Sequence, residues 1–348
     1  MHMLYPSLLR CTLLGTSLSL LTACADNHAA SQVDTPTPVV QSATISLPTA
    51  VSPVSTATFE QPTQSFASWQ AAFRQEALSA GIQAAVFDAA FAGVSPDMAV
   101  IRADRSQPEF TRPVWEYLDS AISTVRVRRG QALLAEHAST LQAIEQRYGV
   151  DRRALVAIWG MESNFGQYMG DKSVIAALAT LAYEGRRPAF AHEQLLAALR
   201  ILQHGDVQPS RMRGSWAGAM GQTQFIPSTY NQFAVDFDGD GRRDIWDSSA
   251  DALASAAHYL QKSGWQSGQP WGVEVTLPSG FDYALADAEI RKPISEWRQL
   301  GVNNIPAADD QARAVLLLPA GHRGPAFLVL DNFRAILKYN NSTSYGLA

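Results

Sequence analysis

The stretch of sequence that decides the fold runs from Asp151 to Gly166 and reads Asp-Arg-Arg-Ala-Leu-Val-Ala-Ile-Trp-Gly-Met-Glu-Ser-Asn-Phe-Gly. Asp151 is a favourable helix N-cap, and Asn and Gly at the far end commonly close a helix. Between these ends, four side chains share one helical face at the spacing i, i+3, i+4 and i+7: Leu155, Ile158, Trp159 and Glu162. The sequence therefore predicts a helix with a carboxylate on its apolar face.

Burial would give Glu162 a chemical role. A carboxylate that loses its hydration has a raised pKa, and such a group can donate a proton to a leaving oxygen, as the acids of glycosidases do. The spacing alone leaves a structural alternative open, in which Glu162 is salt-bridged to an Arg. The full motif Glu162-Ser163-Asn164-Phe165-Gly166 resembles the catalytic signature of the lysozyme-like lytic transglycosylases, which favours the catalytic interpretation.

A second segment, Gly214 to Tyr230, reads Gly-Ser-Trp-Ala-Gly-Ala-Met-Gly-Gln-Thr-Gln-Phe-Ile-Pro-Ser-Thr-Tyr. Its glycines allow the backbone to approach a ligand closely. Ser215, Gln222 and Gln224 offer neutral hydrogen-bonding groups that suit hydroxyl and acetamido groups. The alternative is a tight turn between helices with exposed glutamines.

Together, the two segments resemble the membrane-bound lytic murein transglycosylase B family, glycoside hydrolase family 103, over roughly Phe66 to the C-terminus. The resemblance implies that Glu162 is the sole catalytic acid and base and that Ser215 and Gln224 line a saccharide cleft. It also implies further substrate-binding residues, which are Arg186, Arg187, Tyr117, Tyr259, Tyr339, Asn340 and Tyr345.

The implied fold class is α+β and predominantly α-helical, with a lysozyme-like core, an N-terminal helical domain and a small antiparallel β domain. The predicted divisions are a lipoprotein signal peptide (1–23), a lipidated Cys with a disordered linker (24–65), the helical domain (66–149), the core with an EF-hand-like loop (150–265), the β domain (266–331) and a C-terminal segment that returns to the core (332–348). Within them, the sequence predicts helices over 66–80, 82–91, 113–148, 173–183, 188–204 and 332–338, and the capping-box pattern Ser248-x-x-Asp251 predicts the start of a helix that runs to 262. Strands are predicted over 271–277, 315–318 and 327–330.

A third segment predicts a structural calcium site. From Asp236 to Asp247 the chain places oxygen ligands at the EF-hand loop positions 1, 3, 5, 7 and 12, with a glycine at position 6. The predicted ligands are Asp236, Asp238, Asp240, the carbonyl of Arg242, and Asp247. The alternative is an acidic surface turn without a metal.

The N-terminal sequence predicts a targeting signal. Arg10 precedes a short apolar stretch, Cys11 to Leu21, which fits the core of a signal peptide. Leu21-Thr22-Ala23-Cys24 resembles a bacterial lipobox, so Cys24 is the predicted lipidation site; a plain signal peptide is the alternative. Residues 25–64 contain no Lys or Arg and are typical of a linker. The predicted location is the periplasmic face of the outer membrane, with contact to the membrane through the lipid anchor only.

Composition narrows the function classes. The net charge of −5 argues against a nucleic-acid partner, and two Cys exclude a disulfide framework. The predicted function is cleavage of peptidoglycan glycan strands between N-acetylmuramic acid and N-acetylglucosamine with formation of 1,6-anhydromuramyl ends. The alternatives are a muramidase that uses water and a non-catalytic peptidoglycan-binding lipoprotein.

Overall fold

Helices dominate the chain in the computed structural model, which describes residues 64–106, 113–305 and 309–348. The predicted lipidation site Cys24, the signal peptide and the linker up to residue 63 lie outside the described residues. The helices are α1 (Phe66–Ser79), α2 (Ala84–Ala90), α3 (Met98–Arg105), α4 (Val114–Ala121), α5 (Thr124–Glu136), α6 (Ala138–Tyr148), α7 (Arg152–Ser163), α8 (Val174–Glu184), α9 (Pro188–His204), α10 (Pro227–Phe233), α11 (Ser249–Lys262), α12 (Ile294–Gln299), α13 (Asp331–Tyr339) and α14 (Thr343–Leu347). The strands are β1 (Lys172–Ser173), β2 (Arg213–Gly214), β3 (Gly272–Val275), β4 (Lys292–Pro293), β5 (Arg313–Leu317) and β6 (Ala326–Val329).

The ends of α7 follow from its capping residues. The Asp151 carboxylate accepts a hydrogen bond of 2.7 Å from the backbone N–H of Arg153, which satisfies a donor that the helix itself cannot use. At the other end, Asn164 has φ 48°, the left-handed conformation that closes a helix. The predicted helix is therefore confirmed at both ends.

Other predicted helices and strands occur close to their predicted bounds, with one clear correction. The segment 113–148 forms three helices, α4, α5 and α6, because the chain leaves helical geometry around Ile122 and again at His137. Apolar spacing continues across both breaks, so the spacing alone did not reveal them. The short helices α3, α10, α12 and α14 were not predicted.

The apolar face of α7 lies in one of the hydrophobic cores of the protein. Leu155, Ile158 and Trp159 pack with residues of α5, α6, α11, α13 and α14. A second core joins α1 and α2 with α8, α9 and α10. Since α7 is anchored along its whole length, the residue at its C-terminal end, Glu162, is held in a fixed position.

The β domain is a four-stranded antiparallel sheet in the order β3-β6-β5-β4. Its own core includes Trp297 of α12, which is fully buried and donates to the carbonyl of Ala314 over 3.1 Å. The chain then returns through α13 and α14, which pack against the core that surrounds α7. This return brings residues near the C-terminus to the end of α7.

The prediction of an α+β, predominantly α-helical fold is confirmed by these elements. The described residues belong to one compact unit, so the domain boundaries near 149, 265 and 331 stay predictions. Within that unit, no described helix combines the length and apolarity that a membrane crossing requires.

Candidate active site

Glu162 lies in the last turn of α7, directly before the residue that ends the helix. The chain then takes left-handed backbone at three consecutive residues, Asn164, Phe165 and Gly166 (φ 48°, 61° and 81°). Left-handed geometry is costly for Phe, so packing has to hold it. The Phe165 ring lies against Gly160 so closely that a Cβ there would be 2.7 Å from the ring. The loop after Glu162 is thus fixed by contacts with the helix that precedes it.

The Glu162 carboxylate is half-buried and has one close polar partner, the Tyr345 hydroxyl, which donates to Oε1 over 2.7 Å. Burial raises the pKa of Glu162 from 4.5 to about 7, and the hydrogen bond from Tyr345 opposes part of that rise. Within the described residues Glu162 forms no salt bridge. The structural alternative, a Glu162 paired with an Arg, is therefore wrong for this part of the chain.

Three of the predicted tyrosines surround this carboxylate. The negative charge of Glu162, added to burial, raises the pKa of Tyr117, Tyr339 and Tyr345. The Tyr339 hydroxyl donates to the carbonyl of Thr223 over 2.7 Å, so it is already used within the protein. Tyr117 comes from α4, and the other two from the C-terminal helices, which places residues more than 200 positions apart around one acid.

Tyr259 and Asn340 contact other parts of the described chain. The Tyr259 ring packs edge-on against the Tyr339 ring, with centroids 5.1 Å apart, and its hydroxyl donates to the carbonyl of Lys338 over 2.5 Å. Asn340 caps the end of α13 and is exposed. Their contact with a substrate stays a prediction.

The segment 214–230 joins α7 through buried hydrogen bonds. The Ser163 hydroxyl donates to the carbonyl of Gln222 over 2.8 Å, and the Trp159 indole N–H donates to the Gln222 side-chain oxygen over 2.9 Å. The side-chain amide N–H of Gln222 donates to the carbonyl of Trp246 over 3.0 Å. Gln222 is therefore a buried structural residue, and the expectation that it offers free groups to a sugar is wrong.

Ser215 and Gln224 shape the loop beside the acid. The Ser215 hydroxyl accepts from the backbone N–H groups of Ala217 and Ala219 over 3.2 and 3.1 Å. The Gln224 side-chain N–H donates to the carbonyl of Met169 over 3.1 Å, which ties this segment to the loop that follows Glu162. The two sequence motifs thus form one structural unit, while saccharide contact by Ser215 and Gln224 stays a prediction.

Arg186 and Arg187 differ in their environment. The Arg186 side chain pairs with the buried carboxylate of Asp104 over 3.3 Å, and its backbone N–H donates to the same carboxylate over 2.9 Å. Arg187 is exposed, and its guanidinium lies 4.8 Å from the centroid of the Phe190 ring. Both line an open cavity of about 350 Å³ that also contains Trp216.

The carboxylates that cluster at the aspartate loop differ from the predicted set, which includes Asp240 and Asp247. Carboxylate oxygens of Asp236, Asp238 and Asp251 lie within 4.8 Å of one another, and these three are the group that the described residues offer to a metal. Asp247 instead pairs with Arg211. The geometry therefore favours Asp251 over Asp247 as the third carboxylate ligand.

The other predicted ligands keep local roles in this loop. The Asp240 carboxylate is held by the Arg242 side chain over 2.8 Å. The Asp236 carboxylate accepts from the N–H groups of Gly239 and Gly241 over 2.7 and 2.9 Å, which closes the loop around it. Three clustered carboxylates are hard oxygen donors of the kind that Ca²⁺ prefers, so the donor set fits the predicted metal.

Comparison with known proteins agrees with this arrangement. The model of the transglycosylase SLT domain family matches residues 65–348. This chain belongs to that family. The lysozyme-like transglycosylase resemblance predicted from the two motifs is thereby confirmed.

Individual relatives add detail. Membrane-bound lytic murein transglycosylase B of Escherichia coli (strain K12) is 33% identical over 239 residues, and the match spans 67% of this chain but only 64% of that protein. SltB3 of Pseudomonas aeruginosa is 67% identical and matches 82% of this chain and 77% of its own, with TM-scores of 0.80 in complex with NAG-anhNAM-pentapeptide and 0.79 with NAG-NAM-pentapeptide. Slt35 of Escherichia coli in complex with calcium is 30% identical over 80% of this chain and 89% of its own, with a TM-score of 0.67.

Proposed function

We propose that this protein is a lytic transglycosylase that cleaves the β-1,4 bond between N-acetylmuramic acid and N-acetylglucosamine in peptidoglycan glycan strands. The observation that supports it most directly is the state of Glu162. Its pKa of about 7 arises from burial, and no charged neighbour contributes to the shift. A single proton-carrying carboxylate without a carboxylate partner suits a reaction in which one group acts first as an acid and then as a base.

The first step needs a proton on the bond that breaks. Protonated Glu162 gives its proton to the glycosidic oxygen, which leaves as the hydroxyl of N-acetylglucosamine. As the bond from C1 to this oxygen breaks, the 2-acetamido oxygen of the muramyl residue bonds to C1. Substrate-supplied attack removes the need for the second carboxylate that ordinary retaining glycosidases use.

The second step returns the enzyme to its starting state. The Glu162 carboxylate takes the proton from the muramyl C6 hydroxyl, and the C6 oxygen bonds to C1 while the acetamido oxygen leaves. The product is a 1,6-anhydromuramyl end, and Glu162 is protonated again. Because Tyr345 donates to Oε1, we assign the proton transfers to the other carboxylate oxygen.

Product analysis separates this proposal from the hydrolytic alternative. Purified sacculi are digested with the full chain, and the muropeptides are weighed by mass spectrometry. Anhydro ends, lighter by one water than hydrolysis products, are expected. Reducing muramyl ends would show a muramidase, and the absence of any released product would leave a peptidoglycan-binding protein.

The cavity at Arg187 suits the peptide stems of the substrate. The Arg186 guanidinium forms an ion pair with Asp104, whereas the Arg187 guanidinium has no carboxylate partner among the described residues. A stem peptide carries free carboxylates, which a guanidinium binds through paired N–H groups. We assign the stem contact to Arg187 and a supporting role to Arg186.

The aspartate loop would hold a structural Ca²⁺ through Asp236, Asp238 and Asp251. Bound there, the ion would compensate three clustered negative charges and tie the loop to α11, which begins just before Asp251. The role proposed for the cation is structural, and the proton transfers are assigned to Glu162 alone.

The location is part of the same proposal. The lipobox-like sequence at Cys24 would anchor the protein in the outer membrane, with the linker separating the anchor from the catalytic unit. Cys24→Ser is then expected to move active enzyme into the soluble periplasmic fraction. Retention of this variant in the membrane fraction would contradict the lipid anchor, and loss of activity on isolated sacculi would contradict the independence of the two parts.

A further inference from the structure

Tyr168 is the most exposed large side chain near the candidate active site. It lies on the loop between α7 and β1, and 73% of its surface is open to solvent. Within the described residues its ring packs on no other aromatic ring, unlike the exposed Tyr283, whose ring has Phe281 and His322 as neighbours. An exposed aromatic face without a neighbouring ring is available for stacking against a ligand.

The backbone under Tyr168 is nevertheless fixed. Its N–H donates to the carbonyl of Ser163 over 2.8 Å, and the next residue, Met169, accepts from the Gln224 side chain over 3.1 Å. One residue further, Gly170 has φ 87° and lies so close to the backbone of Gly214 that a Cβ would be 2.1 Å from that carbonyl oxygen. The loop is tied to both motif segments, so the exposed ring is held on a rigid support.

This support connects the two segments that the proposed function places beside the glycan strand. The loop begins directly after the helix that carries Glu162, and it ends at the strand pair of β1 with β2, which leads into Ser215. The loop that carries Tyr168 is therefore attached to the end of α7 on one side and to the segment of Ser215 on the other. Aromatic rings on fixed loops present an apolar face that matches the C–H face of a pyranose ring.

We propose that Tyr168 is a substrate-binding residue, on whose ring an N-acetylhexosamine unit of the glycan strand stacks. The inference rests on the proposed transglycosylase function and adds a sugar-binding position to it. The contribution comes from the ring face, so the hydroxyl is dispensable. Stacking holds the strand in the ground state and the transition state alike, which predicts an effect on KM and little effect on kcat.

The test measures binding and turnover separately. Peptide-free murein glycan strands are titrated calorimetrically into Glu162→Gln, Glu162→Gln with Tyr168→Ala, and Glu162→Gln with Tyr168→Phe. Loss of the ring is expected to weaken binding about tenfold, whereas the Phe variant binds like its parent. In the active background, Tyr168→Ala is expected to raise KM by a similar factor at unchanged kcat. Tyr283→Ala is the control for an exposed tyrosine outside the cleft.

The outcomes distinguish the two proposals. Equal affinity of all three Glu162→Gln proteins, with anhydro ends still formed by the wild type, would overturn the role of Tyr168 alone. A Tyr168→Phe variant as weak as Tyr168→Ala would overturn stacking, because it would show that the hydroxyl binds. A fall in kcat or in melting temperature without a change in KM would reveal a structural role instead. A wild type that forms no anhydro ends would remove the proposed function itself.

Discussion

Two groups of carboxylates in this protein have the same chemistry and opposite environments. Glu162 lies among tyrosines and forms no salt bridge in the described part of the chain, and burial raises its pKa to about 7. Asp240 and Asp206, around the aspartate loop, are held by Arg242 and Arg243, which keep the pKa of each carboxylate below its ordinary value. Burial without an ion pair raises the pKa of a carboxylate towards neutrality, whereas an ion pair with an arginine favours the charged form.

The different environments suit the two groups of carboxylates to different roles. A group whose pKa lies near neutrality can lose and regain a proton during one reaction cycle. Charged carboxylates that are clustered and fixed by backbone N–H groups serve instead to hold a loop and to bind a cation. We therefore expect the carboxylate of Glu162 to take part in the chemistry and the carboxylates of the aspartate loop to have a structural role.

The largest expected effect is on the proton carrier. Glu162→Gln keeps the shape and the hydrogen-bonding capacity of the side chain but cannot exchange a proton, so release of product from sacculi is expected to fall at least about a thousandfold. Zymography and product mass spectrometry measure this loss. Sedimentation with insoluble murein checks that binding remains. Activity close to that of the wild type would remove Glu162 from the mechanism.

Glu162→Gln, which is expected to abolish activity, is expected to increase the stability of the fold at neutral pH. The folded pKa of Glu162, about 7, lies above the unfolded value of 4.5, so the folded state binds more protons between these pH values. The free energy of unfolding therefore falls as the pH rises from about 4.5 to 7. Glu162→Gln avoids this loss and is expected to be more stable than the wild type by roughly 3 kcal/mol above pH 7 and equally stable near pH 4. Thermal unfolding at pH 4 and pH 8 measures the difference, and equal melting temperatures at pH 8 would contradict the raised pKa.

Much of the catalytic region could be predicted from the sequence because its determinants are local. The cap at Asp151, the apolar face of α7 and the closing Asn164 follow one another within a single helix. The contact from Tyr345 to Glu162 spans 183 residues, and only the return of the chain through α13 and α14 creates it. Its signal in the sequence was the resemblance to a family motif and not any spacing.

The aspartate loop shows how a tertiary contact can add a residue that counting along the chain omits. The EF-hand positions assume that a loop supplies all its ligands in twelve residues. In this structure Asp251, in the first turn of α11, joins the carboxylate cluster and accepts from the N–H groups of Phe237 and Asp244 over 2.7 and 2.8 Å. The pattern Ser248-x-x-Asp251 was visible as a helix cap, but its second use depends on the tertiary fold.

Calcium binding distinguishes the proposed ligand Asp251 from the sequence-predicted ligand Asp247. At a hundredfold excess over the Kd, a ligand that binds only the folded state stabilises it by about 2.7 kcal/mol. Calcium is therefore expected to raise the melting temperature of the wild type and of Asp247→Asn, and to leave that of Asp251→Asn unchanged. Each variant is compared with its own EDTA-treated sample, since Asp251→Asn also loses hydrogen bonds within the loop. Calcium sensitivity lost in Asp247→Asn and kept in Asp251→Asn would restore the ligand set predicted from the sequence.

A smaller effect is expected from Tyr345→Phe. Its hydroxyl stabilises the charged form of Glu162, so its removal raises the pKa of that carboxylate further. The reaction begins with protonated Glu162, and the fall of kcat/KM on the alkaline side is therefore expected to move to higher pH. At pH 7 the loss of activity should stay below about tenfold, since one hydrogen bond changes. A pH profile identical to that of the wild type would show that Tyr345 does not act through Glu162.

The smallest expected effect is a change in the preference for peptide-bearing murein, which distinguishes Arg187 from Arg186. Arg187→Ala removes a guanidinium without a carboxylate partner in the described chain, so it is expected to weaken activity on peptide-bearing murein several-fold and to leave activity on peptide-free glycan strands unchanged. Arg186→Ala breaks the pair with the buried Asp104 carboxylate, and we expect it to lower the melting temperature and to reduce activity equally on both substrates. Rates on the two substrates, divided by one another, cancel any loss of folded protein. The opposite result would be a lower ratio of peptide-bearing to peptide-free activity for Arg186→Ala and an unchanged ratio for Arg187→Ala. It would assign the stem contact to Arg186, which is already paired with Asp104. The lack of a carboxylate partner at Arg187 would then not indicate a binding role in this cavity.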